Sequence, residues 1–433
     1  MHFFRLLMFI FVCVSMQAPV WASGFQTTFH SVSSFSRGLG GAGVSGDDLA
    51  DIYYNPAAAS LYEGTGFQIY AGSGNVENTF NNLGSTQTLA GSRLPNVGLA
   101  QGLDEDFPGA SFQFTKKLDS GALKGWTAGL ALGNAFGNQT EYPVNWVGRR
   151  HAVDSQLTVL DFNPVLSYQV SPTVTIGGGL SIQRSDATLS QATFTGTPVE
   201  PVSTLEGSDT AIGFDIGATI SAGKNRFGLS YRSQVEHTLE GTLTAPNPAN
   251  LSLQSLPAQA EITFPETVYI SGVFPVSEKT TLSWTSRWTR WSRNQEIRIT
   301  DPSGLQTFSL IPQNWGNTWL HGVGVDHRVN SVWKFRLGLM VDSTPIPSPE
   351  LRTPRQPEGD RFWIGVGASA NTRYGVFDFG YLRGDVDDVL INNTIPLAAS
   401  SGLPASVFGD TLRGEYVDTS VNFVGIQFRR SWQ

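Results

Sequence analysis

The connections between the apparent β-strands of this chain alternate from end to end, one short and the next long. Alternating patterns place strands at about 65–71, 109–116, 126–133, 155–169, 173–187, 208–221, 225–243, 259–274, 279–299, 316–328, 332–342, 360–370, 374–384 and 415–428. Every second connection is only a few residues: Ser171-Pro172, Ala222-Gly223-Lys224, Ser277-Glu278, Asn330-Ser331 and Thr372-Arg373. A soluble sandwich has no reason to keep this rhythm. A transmembrane β-barrel does, with tight turns on one side and long loops on the other. About fourteen strands, an even number, closes such a barrel. The expected fold class is all-β, a transmembrane antiparallel barrel.

Side-chain parity supports the same reading. In 332–342, Trp333, Phe335, Leu337, Leu339 and Val341 share one face, while Lys334, Arg336 and Asp342 share the other. A strand has period two, so these sets lie on opposite surfaces. Apolar outside with charge inside inverts a soluble barrel. Strand 259–274 is expected to turn Ile262, Phe264, Val268 and Ile270 outward, with Glu266 breaking the face. In 374–384, Phe377, Phe379 and Tyr381 oppose Asp378. Trp284, Trp288, Trp291, Trp315 and Trp319 are candidates for an aromatic girdle at the bilayer interface, or for rings inside the lumen.

Residues 1–22 read as a secretory signal: Arg5, the apolar run Leu6 to Val14, and a small-x-small site at Val20-Trp21-Ala22. That run is too short to span a bilayer. The lone cysteine, Cys13, lies inside it, so the mature chain has no thiol chemistry. The chain is 40% hydrophobic without a later helical span, and its 47 glycines suit a sheet that must curve. A net charge of −8 argues against nucleic acid as a partner.

Residues 23–64 lack strand pattern. Small residues from Ser36 to Gly46 precede Asp47 to Tyr54, a short helix that Asn55-Pro56-Ala57 ends, because proline biases Asn55 away from helical angles. The expected division is a plug at 23–64 and a barrel at 65–433. The proline-rich segment 343–359 is expected to be a stiff outside loop over the barrel mouth.

Several segments resemble the outer-membrane long-chain fatty acid transporter family (FadL-like), which includes aromatic-hydrocarbon uptake proteins. They are Ser23-Gly24-Phe25-Gln26, Gly38-Leu39-Gly40 with Asp47-Asp48 and Asn55-Pro56-Ala57, Tyr231-Arg232-Ser233, Phe264-Pro265-Glu266, Trp288 to Ser292, Asp342 to Pro345, and Asp360-Arg361-Phe362-Trp363. The resemblance implies a barrel occluded by an amino-terminal hatch, with ligand leaving sideways beside the third strand. On this basis Phe25, Arg361 and Trp363 are expected ligand contacts. Asn55, Pro56, Ala57, Gly133, Asn134, Phe136 and Gly137 are expected around the kink that opens the side. The family's carboxylate-contacting basic positions fall near Gln191 and Gly316, neither of them basic. Substitute cations are sought among Arg184, Arg336, Arg361 and Arg383, with Arg361 first. The third outside loop, about 188–207, is short for the family, so an outer capture groove is in doubt. The ending Phe428 to Gln433 also departs from a terminal phenylalanine.

No metal or cofactor pattern is present. The histidines lack metal spacing, and His321 and His327 are too far apart on one strand face to chelate alone. Asp104-Glu105-Asp106 reads as a solvated acidic loop more readily than a cation site. Gly177-Gly178-Gly179 is in a strand, so it is no phosphate cradle. His151 and Ser155 lack an acid partner or nucleophile turn, so no enzyme is expected. The expected function is passive uptake of hydrophobic molecules across the outer membrane of a Gram-negative cell. Long-chain fatty acids come first and aromatic or alkane hydrocarbons second, with a general diffusion porin as the competing class. Expected partners are the ligand, membrane lipid, lipopolysaccharide and detergent, with the chain a monomer.

Overall fold

The computed structural model describes residues 24–397 and 404–432, so the expected leader at 1–22 lies outside the described residues. Fourteen antiparallel strands close into one barrel. They are β1 (Thr65–Asn82), β2 (Asp104–Lys117), β3 (Trp126–Glu141), β4 (Asp154–Ser171), β5 (Val174–Ala192), β6 (Val202–Ala222), β7 (Asn225–Arg232 and Val235–Pro246), β8 (Leu253–Phe264 and Thr267–Pro275), β9 (Thr280–Thr289 and Glu296–Thr300), β10 (Thr307–Pro312 and Thr318–Arg328), β11 (Trp333–Asp342), β12 (Arg361–Thr372), β13 (Gly375–Val386 and Val389–Pro396) and β14 (Phe408–Trp432). β14 closes on β1, from Thr65 opposite Trp432 to Asn82 opposite Gly414. Closure leaves no open sheet edge, which lipid would not tolerate.

Several strands outrun their sequence patterns. β1 continues eleven residues past Ala71, through a polar and glycine-rich stretch that reads as loop. There β1 has β14 on one side throughout and β2 on the other as far as Glu77, and pairing overrides weak local preference. Asp104-Glu105-Asp106 likewise opens β2 rather than lying in a loop.

The inverted pattern holds on β11: Phe335 and Val341 are exposed, whereas Arg336 and Asp342 are buried in the lumen. On β13, Phe377, Phe379 and Tyr381 face out and Asp378 is fully buried. β8 corrects the expectation. Its pairing stops at Phe264 and resumes at Thr267, and the interruption at Pro265-Glu266 shifts parity by one. Ile262 and Phe264 therefore face inward, while Ile270 faces out. Tryptophans divide in the same way. Trp288 and Trp319 are cross-strand neighbours on the outside, and Trp291 and Trp315 are buried inside.

The amino-terminal segment lies against the inner wall. It forms α1 (Val32–Ser36), whose cap Ser31 accepts from Ser34 N at 2.9 Å, then α2 (Asp51–Tyr54) and a 3-10 turn, Pro56–Leu61. Asn55 is extended (φ −152°), so α2 ends where proline predicts. Ion pairs tie this segment to the wall. Arg37 meets Asp47 at 2.8 Å and Asp326 at 3.4 Å, and Lys334 holds the other oxygen of Asp47. Arg232 pairs with Asp161 (2.6 Å), donates to Tyr53 O (2.8 Å) and lies over the Tyr53 ring.

Close backbone approach needs glycine at the wall. A β-carbon on Gly338 would collide with the backbone of Arg37 and Gly38. Backbone cannot yield as a flexible side chain would. Gly338→Val is thus expected to displace the Arg37 turn while β11 stays paired. The barrel remains heat-modifiable on a denaturing gel, and tryptic cleavage at Arg37 accelerates by about tenfold or more as local opening becomes cheaper.

Candidate functional site

β2 and β3 separate partway along the wall. Their pairing runs only from Lys117 opposite Thr127 to Ser111 opposite Gly133. Beyond it, β3 pairs with β4 alone, with a bulge between Asn134 and Phe136. Glycines and a bulge are where such a break is cheapest. On the facing strand, Pro108 has no N–H to offer. A side chain closes the outer rim: Glu105 accepts from Glu141 N at 3.0 Å and from Gln139 Nε2 at 3.4 Å. The result is a window between 104–110 and 134–141.

The first described residues cover this window from inside. Thr27 N donates to Ala135 O at 2.9 Å, and Gly137 N donates to Phe25 O at 2.7 Å. Gln26 and Phe136 form an isolated antiparallel bridge. Ser111 Oγ donates to His30 O at 2.6 Å. Gly133, Asn134, Phe136 and Gly137 therefore do lie at the break. Asn55, Pro56 and Ala57 do not. Asn55 Nδ2 donates to Ala218 O on β6 at 3.1 Å, and Ala57 packs against Gly177 on β5. Their small size suits the glycine-lined wall there, several strands away from the break.

Beside the window is a largely apolar cavity of about 790 Å³, its open mouth included. Phe25, Leu157, Leu205, Leu239, Ile262 and Ile311 are among its lining residues. The Phe25 ring stands 5.1 Å from that of Trp315 and 6.1 Å from that of Trp291. Phe136, from the bulge, stacks on Phe264 at 4.4 Å. The parity shift in β8 and the interruptions in β9 and β10 are what aim Phe264, Trp291 and Trp315 inward.

The proline-rich loop folds inward and supplies the cavity's polar end. Ile346, Arg352, Arg355, Gln356 and Glu358 are all buried. Arg355 Nη1 donates to Asp154 O (3.0 Å) and Ser155 Oγ (2.8 Å). Its Nη2 donates to Ser190 O (3.1 Å) and Gln191 Oε1 (3.0 Å). All four acceptors are neutral, and Arg355 makes no ion pair among the described residues. Burial lowers its guanidinium to about 10, which leaves it protonated at neutral pH.

The four cations first sought are all engaged elsewhere. Arg361 is paired with Glu358 and lies 3.8 Å from Asp342, outside the cavity lining. That pairing fastens the loop and, through Glu358, the backbone N of Gly24 (3.0 Å). Burial raises the Glu358 carboxyl to about 7. Arg336 is held by Asp326 and Asp378. Arg184 and Arg383 are on the exposed outer face, paired with Asp186 and Asp385. Trp363 is buried edge-on to Phe29 and does not line the cavity. Arg355 was missed because the loop was read by its prolines alone. An arginine recurring among them, at 352 and 355, was the available signal. His151 has an acid partner after all, Asp410 at 3.1 Å, but Ser155 accepts from Arg355 instead of meeting the imidazole.

A closed barrel with an apolar outside, a charged inside and a side window defines an outer-membrane channel. A model of the outer membrane protein transport proteins (OMPP1/FadL/TodX) matches residues 11–431, and the chain belongs to that family. A long-chain fatty acid transport protein of Salmonella typhi is 22% identical over 395 residues, covering 82% of this chain and 85% of that one. Outer membrane protein P1 of Haemophilus influenzae is 21% identical over 388 residues, covering 80% and 82%. Among solved structures, a Pseudomonas aeruginosa FadL homologue superposes with TM-score 0.83 at 19% identity, covering 95% of this chain and all of that one. The Pseudomonas putida toluene transporter TodX gives 0.66 at 13%, with the same coverage.

Phe25 separates the cavity from the two buried indoles. Phe25→Ala is expected to admit water beside Trp291 and Trp315. Tryptophan emission shifts to longer wavelength, and an apolar ligand reverses the shift. An unchanged spectrum would place Phe25 away from the cavity in solution.

Proposed function

We propose that the chain takes up long-chain fatty acids from outside the cell and releases them sideways into the outer membrane. The observation that carries this reading is a buried guanidinium, held by neutral acceptors and in no ion pair among the described residues, at the polar end of an apolar cavity beside an unpaired stretch of wall. Each acyl methylene that enters the cavity contributes roughly 0.8 kcal/mol by leaving water. Burying a cation without a counter-ion is costly, and neutral hydrogen bonds offset only part of that cost. A ligand carboxylate would complete the pairing. Arg355 thus stands in for the basic side chains absent at Gln191 and Gly316, and Gln191 helps to hold it.

Residues 23–64 act as the hatch, and 65–433 as the barrel. The route needs no catalytic step or energy source, because capture and release both follow the ligand's preference for apolar surroundings. The protein works as a monomer in contact with lipid and lipopolysaccharide. Likeness to the toluene transporter favours a second reading, hydrocarbon uptake, in which Arg355 serves only to clamp the loop to β4 and β5.

Two experiments test this. Arg355→Gln is expected to weaken fatty-acid binding about ten- to a hundredfold, the worth of a charge-assisted hydrogen bond of roughly 1.5–3 kcal/mol. A size-matched hydrocarbon binds as before. Equal loss for both would assign Arg355 a structural role. For the side exit, Gln26→Cys with Phe136→Cys pins the bridge over the window, since paired antiparallel positions suit a disulfide. Uptake is expected to stop in the oxidised protein and return on reduction. Equal uptake in both states would exclude this exit.

A further inference from the structure

We propose that the short-turn mouth of the barrel is a docking basin for an acidic peptide segment of a periplasmic protein. This goes beyond the uptake reading and uses none of its cavity or window residues. The basin is the second large cavity, about 720 Å³ with its open mouth, between the Ser45–Asp47 turn and the ends of β7 to β11. Short turns mark the periplasmic side of an outer-membrane barrel.

Six cations line the basin against three carboxylates, in a chain whose net charge is −8. Arg37 and Lys334 are occupied with Asp47. Lys224, Lys279 and Arg328 make no ion pair among the described residues. Arg226 donates only to a backbone oxygen, Val44 O at 2.7 Å. Arg37 Nε is buried in the lining and has no hydrogen-bond partner. The lining therefore carries an excess of positive charge at one end of the lumen.

Asp47 shows what the basin accepts: a carboxylate on a short turn, gripped by Lys334 and Arg37. The remaining cations are spread along the ends of four neighbouring strands, β7 to β10. At about 4.8 Å between strands, that spread is about 14 Å. One phosphate or carboxylate cannot reach across it, whereas about five extended residues can. Membrane lipid is excluded because the lining side chains lie on the inward faces of their strands, with the barrel wall between them and the bilayer. An extended acidic peptide matches both the length and the charge, and it would lie against the hatch turn that carries Asp47.

The test uses full-chain protein in detergent and fluorescent hexa-aspartate, with hexa-asparagine as the neutral control. Anisotropy is expected to show hexa-aspartate binding that weakens as salt rises. The triple variant Lys224→Gln, Lys279→Gln, Arg328→Gln loses about tenfold or more of that affinity. Heat-modifiability and fatty-acid binding at the Arg355 cavity stay unchanged in that variant, so failure here is separable from failure of the uptake reading. A control removing three outer-face cations, Arg184→Gln, Arg298→Gln, Arg383→Gln, keeps full hexa-aspartate binding. Equal loss in the control would reduce the effect to net charge and overturn the proposal. Equal binding of both peptides, or undiminished binding by the triple variant, would overturn it too. Inorganic phosphate displacing the peptide at equal concentration of charge would mark a small-anion site and overturn the peptide assignment.

Discussion

A sheet in lipid cannot leave backbone groups unpaired, yet this barrel leaves a stretch of β3 without its neighbour on β2. The amino-terminal residues answer that demand. Thr27 N and Phe25 O take up Ala135 O and Gly137 N from the bulge, so the cover and the opening are one set of hydrogen bonds. The same residues place the Phe25 ring against Trp315, at the boundary of the apolar cavity. The cover, the window and the cavity boundary thus share the same few residues.

Holding the cover in place falls to charge inside the lumen. Carboxylates such as Asp161, Asp326 and Asp378 are almost wholly buried, and arginines from the wall or the hatch meet each of them. Pairs like these add little stability beyond what apolar packing would give, but an unpaired member is expensive, so they select one arrangement. Arg355 and its loop neighbour Arg352 are an exception: both are buried and donate to neutral oxygens, those of Arg355 lying on β4 and β5.

The proline-rich loop makes that exception possible. Prolines restrict the chain and reduce the entropy lost on ordering it. Arg361, paired with Glu358, ties the loop's end to the wall. A stiff, tied loop can carry a guanidinium into a cavity without the strand wall supplying one. Arg355 reaches from the loop to Gln191 on β5, which accepts from it.

The architecture was legible in the sequence because lipid imposes period two on every strand and length asymmetry on every connection. β11 shows this plainly, with Phe335 out and Arg336 in. Phe25 and the break from Gly133 to Gly137 were legible through glycines and family resemblance. What the sequence could not decide were the places where that period slips. At Pro265-Glu266 the slip turns Ile262 and Phe264 inward, and no local pattern records it, because parity is set by which neighbours pair on each side. Nor does local pattern say that Arg361 is paired with Glu358 while Arg355 donates to neutral oxygens. Both are cations close together in sequence, and only the three-dimensional neighbourhood distinguishes an ion-paired guanidinium from one held by neutral acceptors. Local chemistry determined the barrel. Contacts between distant segments decided which of its side chains meet the cavity.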